Sequence, residues 1–176
     1  MVQRVDPPPE PPVTLSCPAE LLAGYLDFYR EAVLRKLAGL SEEELRHSRL
    51  PSGWMPLALL KHLAHVELRW LQWGFAGERI DEPWGDVKIR RGEWHLEPGE
   101  TLAEVTAFFR DQCARSREIV AGARLEEKAA TLGGRVPAEE DRPTLIWILF
   151  HLLQEYARHL GHLDIARELA DGTLGE

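Results

Sequence analysis

Sulfur, basic charge and long apolar runs are all scarce in this chain. Its 176 residues include two cysteines, Cys17 and Cys113, far apart and in no CxxC pair. That excludes a disulfide framework and a four-cysteine zinc site. Nothing in the sequence supplies either thiol with a base, so both read as inert thiols of a reducing compartment. Lys and Arg number 21 against 29 Asp and Glu, giving a formal charge of −8. Phosphate binding needs clustered cations, so nucleic acid is not the expected partner. No stretch approaches the roughly 20 apolar residues of a membrane span. The opening MVQRVDPPPEPPVTLSCP lacks the apolar centre of a signal peptide. The sequence therefore predicts a cytoplasmic protein with no membrane partner. Strand runs are missing as well: VTL at 13–15 and VKI at 87–89 are too short to found a sheet.

What is present is helical periodicity. Residues 1–15 are Pro-rich and read as an extended arm; residues 16–176 read as one domain. A first helix begins near Ser16 or Cys17, with Pro18 in its first turn. Leu22, Leu26, Tyr29, Val33 and Leu37 recur at three- and four-residue spacing, and Gly39 is its natural stop. Ser41 and Glu44 form a capping-box pattern for a short turn. A second helix follows Pro56 and runs to about Phe75. A third opens on the capping box of Thr101 and Glu104 and runs to about Gly122. The last starts between Asp141 and Thr144 and reaches about Ala170, where Asp171-Gly172 ends it. Four helices of roughly 20 to 28 residues bury their stripes most simply as an all-α four-helix bundle. The connections over 78–100 and 123–142 are long for a compact domain, which marks them as functional or disordered.

The chemistry concentrates in the last helix, in HLLQEYARHLGH from His151 to His162. At about 100° per residue with Glu155 as zero, His151 falls near −40°, His159 near +40° and His162 near −20°. The apolar stripe occupies about 60° to 160° on the same wheel, so the polar arc borders the core. The second helix adds His62 and His65. His62 lies among Leu59, Leu63 and Val66 and is expected to point inward. Inward His and Glu one turn apart can both reach a metal beside their helix, and a residue on the facing helix completes the set. The alternative is a solvated Glu-x3-His pair, common on helices. The HExxH pattern of metalloproteases is missing.

Other residues carry weaker signals. His47 reads as surface and His95 as a loop histidine. Trp54, Trp70, Trp73 and Trp147 read as core and rim packing. Trp84 and Trp94 suggest a loop that packs on something. Asp86 and Glu93 could approach the bundle mouth. Lys88 with Arg90 and Arg91 could hold a carboxylate, and reads first as a solvated loop.

Two segments resemble the DinB-like metalloenzyme superfamily, which includes bacillithiol transferases and the mycothiol-dependent maleylpyruvate isomerase. One is Leu59-Leu60-Lys61-His62-Leu63 with Glu67. The other runs from Ile146-Trp147-Ile148-Leu149 through His151, Glu155 and Arg158-His159-Leu160-Gly161-His162 to Asp164-Ile165 and Arg167-Glu168-Leu169. The second is similar to a branch called mini-circle proteins. The resemblance covers about residue 18 to the C-terminus. It implies a bundle with long crossover loops and a divalent metal, zinc or nickel first, iron or manganese as alternatives. It implies His62, Glu155 and His159 as ligands. Glu155 departs from the His-x3-His version but keeps an oxygen donor. His65, His151 and His162 stand outside the shared triad, as partners orienting ligands or as extra ligands. The implied activity is metal-dependent transfer of a low-molecular-weight thiol to an electrophilic substrate, or a thiol-dependent isomerisation. A metal-dependent hydrolase and a non-enzymatic metal-binding or stress-response module are the alternatives, and a homodimer is compatible with a bundle of this size.

Overall fold

In a computed structural model of the chain, the described residues are 9–81, 94–134 and 142–174. They form α1 (Pro18–Leu37), α2 (Glu42–Arg46), α3 (Pro56–Glu67), α4 (Leu102–Ala121) and α5 (Leu145–Asp171). The fold is all-α, as the periodicity predicts, with one isolated bridge, Lys128 to Thr144, among the described residues. The first eight residues of the predicted arm lie outside the described set, as do VKI at 87–89 and Asp141.

Local chemistry explains the helix ends. Pro18 and Pro56 occupy first-turn positions, where a missing N–H costs nothing. Both capping boxes form. Ser41 Oγ accepts from the Glu44 N–H, Thr101 Oγ1 accepts from the Glu104 N–H, and each glutamate reaches back to the cap. Gly172 ends α5 at φ 75, a left-handed conformation that glycine adopts without a Cβ penalty.

One prediction needs refinement. The second predicted helix does reach Phe75, but Leu68–Phe75 is π-helical, where an α-helix was expected throughout. The Ala76 N–H bonds the Leu71 carbonyl five residues back. The wider turn is held from outside. The carbonyls of Gly74 and Phe75 accept the N–H groups of Thr131 and Ala130, and the Trp73 carbonyl accepts the Thr131 hydroxyl. The long connection after α4 thus closes this end. It also bonds the first two N–H groups of α5, Leu145 to the Glu127 carbonyl and Ile146 to the Leu125 carbonyl.

Cross-helix pairs fix the directions. Lys61 meets Glu100 just before α4, His65 meets Phe108 and Gln72 meets Gln112, so α3 and α4 run parallel. His62 faces Glu155, Glu67 faces Tyr156 and Trp70 faces His151, so α3 and α5 run antiparallel. Arg167 bonds the carbonyls of Lys36 and Ala38 at the end of α1, which runs alongside α5. Two parallel neighbours need a connection that returns along the helix, about 30 Å for twenty residues. This accounts for the length of the connection before α4.

The core is mostly leucine: Leu57, Leu59, Leu60, Leu63 and Leu71 from α3 and its π extension meet Leu145, Leu149, Leu152 and Leu163 of α5 at 0–1% exposure. A polar node interrupts it. The Arg30 guanidinium donates to both Glu67 oxygens, Nε to Oε1 at 2.8 Å and NH2 to Oε2 at 2.9 Å. Its NH1 donates to Asp27 at 2.7 Å. The Tyr156 hydroxyl donates to Glu67 Oε1 at 2.8 Å, and Cys113 Sγ lies 3.9 Å from that hydroxyl. Burial pushes the Tyr156 hydroxyl pKa well up and the Glu67 charge pushes it further, so the phenol keeps its proton.

Candidate metal centre

Three side chains converge between α3 and α5. His62 comes from α3; Glu155 and His159 lie one turn apart on α5. Each offers one ligand-type atom, and these atoms lie within 4.8 Å of one another. Glu155 Oε2 sits 3.1 Å from His159 Nε2 and 3.9 Å from His62 Nε2. His159 is buried, and the other two are half-buried at the edge of the core. The polar arc therefore borders the core as the helical wheel predicts.

The electrostatics favour an anionic oxygen between two imidazoles. Hydrogen bonds with His159 and then His62 hold the Glu155 carboxyl well below the usual carboxylate range, against the opposing effect of burial. The second Glu155 oxygen faces His151, at 3.4 Å from Nε2. The His159 Nδ1 is buried with no hydrogen-bond partner among the described residues, so this ring engages the cluster through Nε2.

These residues could hold a divalent cation. Bonds of about 2.0–2.1 Å place donors on a tetrahedral ion roughly 3.3 Å apart. The ligand atoms, within 4.8 Å of one another, would draw in by up to about 1.5 Å to reach that spacing. Two imidazoles and a carboxylate are a donor set that suits zinc, nickel, iron or manganese, and three protein ligands leave a position open.

Aromatic rings wall the cluster. Trp94 stacks on His62, with centroids 4.5 Å apart and planes at 15°, and meets His159 edge-on at 5.1 Å. Trp54 contacts Trp94 and His162. His151 lies parallel to Trp147 at 5.2 Å and against Trp70 at 4.6 Å. Of the tryptophans read as core and rim packing, Trp54, Trp70 and Trp147 do pack, each with its ring against His151 or His162. Trp94 meets the expectation of a loop that packs on something.

Of the remaining candidates, His162 lies beside His159 at 5.6 Å between centroids. Burial and then the neighbouring His159 and Arg158 lower its pKa. His65 turns to Phe108 of α4. His95 pairs with Glu97 in the loop, at 3.2 Å. Trp84, Asp86, Lys88, Arg90, Arg91 and Glu93 lie outside the described residues. Sequence reasoning missed Arg30 and the role of Glu67. The signal was there: Arg30 stands four after Leu26 and three before Val33, and Glu67 four after Leu63 and four before Leu71. Each is a charge on an apolar stripe.

An all-helical bundle with a long crossover, gathering His62, Glu155 and His159 from two facing helices, is the DinB-like type that the sequence resembles. The family model for mycothiol S-transferases matches residues 21–172, and the chain belongs to that family. The crystal structure of a conserved protein from Enterococcus faecalis superposes with a TM-score of 0.63, covering 88% of this chain and 98% of that one at 16% identity. That likeness shows the fold alone. No curated protein matches the chain. Among the described residues, no helix is long and apolar enough to cross a membrane.

Proposed function

We propose that this protein is a divalent-metal-dependent S-transferase that joins a low-molecular-weight thiol, of the mycothiol type, to a small electrophile. His62, Glu155 and His159 are the proposed ligands. The convergence of their ligand atoms within 4.8 Å is the observation that carries the reading. Family membership supports the thiol as cosubstrate.

A divalent cation held there would supply Lewis acidity, which lowers the pKa of a thiol and makes thiolate available near neutral pH. The chain's own residues do the rest. Glu155 enters as an ionised carboxylate because two imidazoles hold it so. His151 Nε2 faces one oxygen of that carboxylate at 3.4 Å while the other oxygen points at the two ligand imidazoles, which limits its orientation. Trp94 and Trp54 cover one side and exclude water, which protects a thiolate from competing solvation. In the net reaction a sulfur–carbon bond forms, the electrophile's leaving group departs with its electron pair, and the thiol proton goes to solvent. Cys113 takes no part: it is buried, and burial pushes its pKa to about 12.

Protein reconstituted with zinc or nickel is incubated with mycothiol and monobromobimane. Transfer above the uncatalysed rate, lost in Glu155→Gln with helical circular dichroism retained, is the expected result. Electrophile or ester cleavage that needs metal but no thiol would instead assign the His2Glu arrangement to hydrolysis. Thiol transfer unaffected by Glu155→Gln would contradict the ligand assignment.

A further inference from the structure

The buried node of Arg30, Glu67 and Tyr156 lies beside the candidate metal centre but belongs to none of its chemistry. Its bonds tie three helices. Arg30 is on α1, Glu67 is the last residue of α3, and Tyr156 is on α5; Cys113 of α4 completes the surroundings. Arg30 is 3% exposed and the other two 0%. An ion pair so deep is a poor source of stability, because desolvating two charges offsets most of their attraction. Well-packed apolar side chains of similar volume would do as well or better. The node therefore calls for another role.

The seam between α3 and α5 suggests which. Both helices present leucines there, and the seam is narrow beside the α1–α5 and α3–α4 contacts. Uniform leucine surfaces specify register weakly, since one leucine replaces another after a slip. A slip by one turn moves a helix by about 5.4 Å. The metal cluster could not survive it, with Glu155 Oε2 only 3.9 Å from His62 Nε2. A forked guanidinium on a carboxylate that also accepts a phenol tolerates a single arrangement. Tyr156 directly follows Glu155 and stands three before His159. Glu67 stands five after His62 on the continuous α3. Fixing Glu67 against Tyr156 fixes His62 against Glu155 and His159.

We propose that the Arg30–Glu67–Tyr156 node locks the register of α3 against α5 and so positions His62 opposite Glu155 and His159. This rests on the metal reading above for its functional meaning, and on the helix register alone for its physical content. Arg30, Glu67 and Tyr156 are positioning residues.

The test replaces the node with apolar side chains, as Arg30→Met/Glu67→Leu/Tyr156→Phe. Three readouts run beside wild type: urea midpoint, zinc affinity by competition with a chromophoric chelator, and the distance distribution between spin labels on Ala76 and Arg158. Labelling is done on metal-free protein in a Cys17→Ser background. The expected triple variant keeps its helices and its midpoint, loses about tenfold or more in zinc affinity, as removal of ligand-supporting partners does, and shows a broadened or shifted distance. A variant with wild-type affinity and distances overturns the proposal. So does one whose midpoint falls while its distances stay sharp, because the node would then be a stability element only. If wild type itself binds no zinc, the metal reading fails while the distances still decide the lock. Should the triple variant not fold, Tyr156→Phe, which keeps the ion pair, decides on affinity and distance: unchanged values overturn the lock, and a looser seam upholds it.

Discussion

Glu67→Gln is the single change whose cost the structure defines best. It leaves the Arg30 guanidinium, which cannot shed its proton, 3% exposed and facing a neutral amide. Removing one partner of a buried pair costs about 3–5 kcal/mol. The glutamine oxygen still accepts one of the bonds, and Asp27 still takes NH1 at 2.7 Å, so the lower end applies. A loss of about 3 kcal/mol is a large share of the roughly 5–15 kcal/mol that a domain possesses. With a urea slope near 2 kcal/mol per molar, the midpoint should fall by about 1.5 M. Tyr156→Phe removes one hydrogen bond to a charged group and should cost about 1.5–3 kcal/mol. Because both side chains meet at Glu67 Oε1, the double variant should cost less than the sum of the singles. Urea titration followed by circular dichroism at helical wavelengths measures all three. A Glu67→Gln midpoint within about 0.3 M of wild type would refute the reasoning, since at that slope it corresponds to well under 1 kcal/mol.

Three further outcomes follow from the same geometry. In metal-free protein, acidification should destabilise the fold in two steps. His162 has a folded pKa below its ordinary 6.5, so its contribution is present above that pH and is lost as pH falls through the folded value. Glu155, also depressed, adds a second loss below its ordinary 4.5. His162→Gln should flatten the first limb and Glu155→Gln the second, read from urea midpoints against pH. A disulfide-exchange thiol reagent should modify Cys17 promptly and spare Cys113 until the protein is unfolded; equal rates at both sites would contradict the burial of Cys113. Nickel should quench tryptophan emission mainly through Trp94, which stacks on His62, so Trp94→Phe should remove most of the quenching while leaving nickel bound.

The helices were legible from their apolar period and, for α2 and α4, from a capping box as well. Leu26, Val33 and Leu37 mark a face, and Ser41 with Glu44 or Thr101 with Glu104 marks a start. The arc of Glu155 and His159 beside the core was legible for the same reason: spacing along one helix fixes angle. Spacing says nothing of what stands opposite. The stacking of Trp94 on His62 joins residues more than thirty positions apart, one of them outside any helix, and no local period encodes it. The π segment was hidden because its carbonyls are satisfied from Ala130 and Thr131, more than fifty residues away. The node was visible only as two charges out of place, Arg30 and Glu67. A charge on an apolar stripe shows that a partner is needed, and only the fold shows that each is the other's.

Metal content by plasma mass spectrometry on tag-free protein tests the central claim most directly, with wild type beside His62→Ala, Glu155→Ala and His159→Ala. The account predicts about one zinc or nickel per chain in wild type, lost in all three variants while helical circular dichroism persists. A wild type that holds no metal even after reconstitution with zinc or nickel, or a full complement that survives all three substitutions, would contradict it.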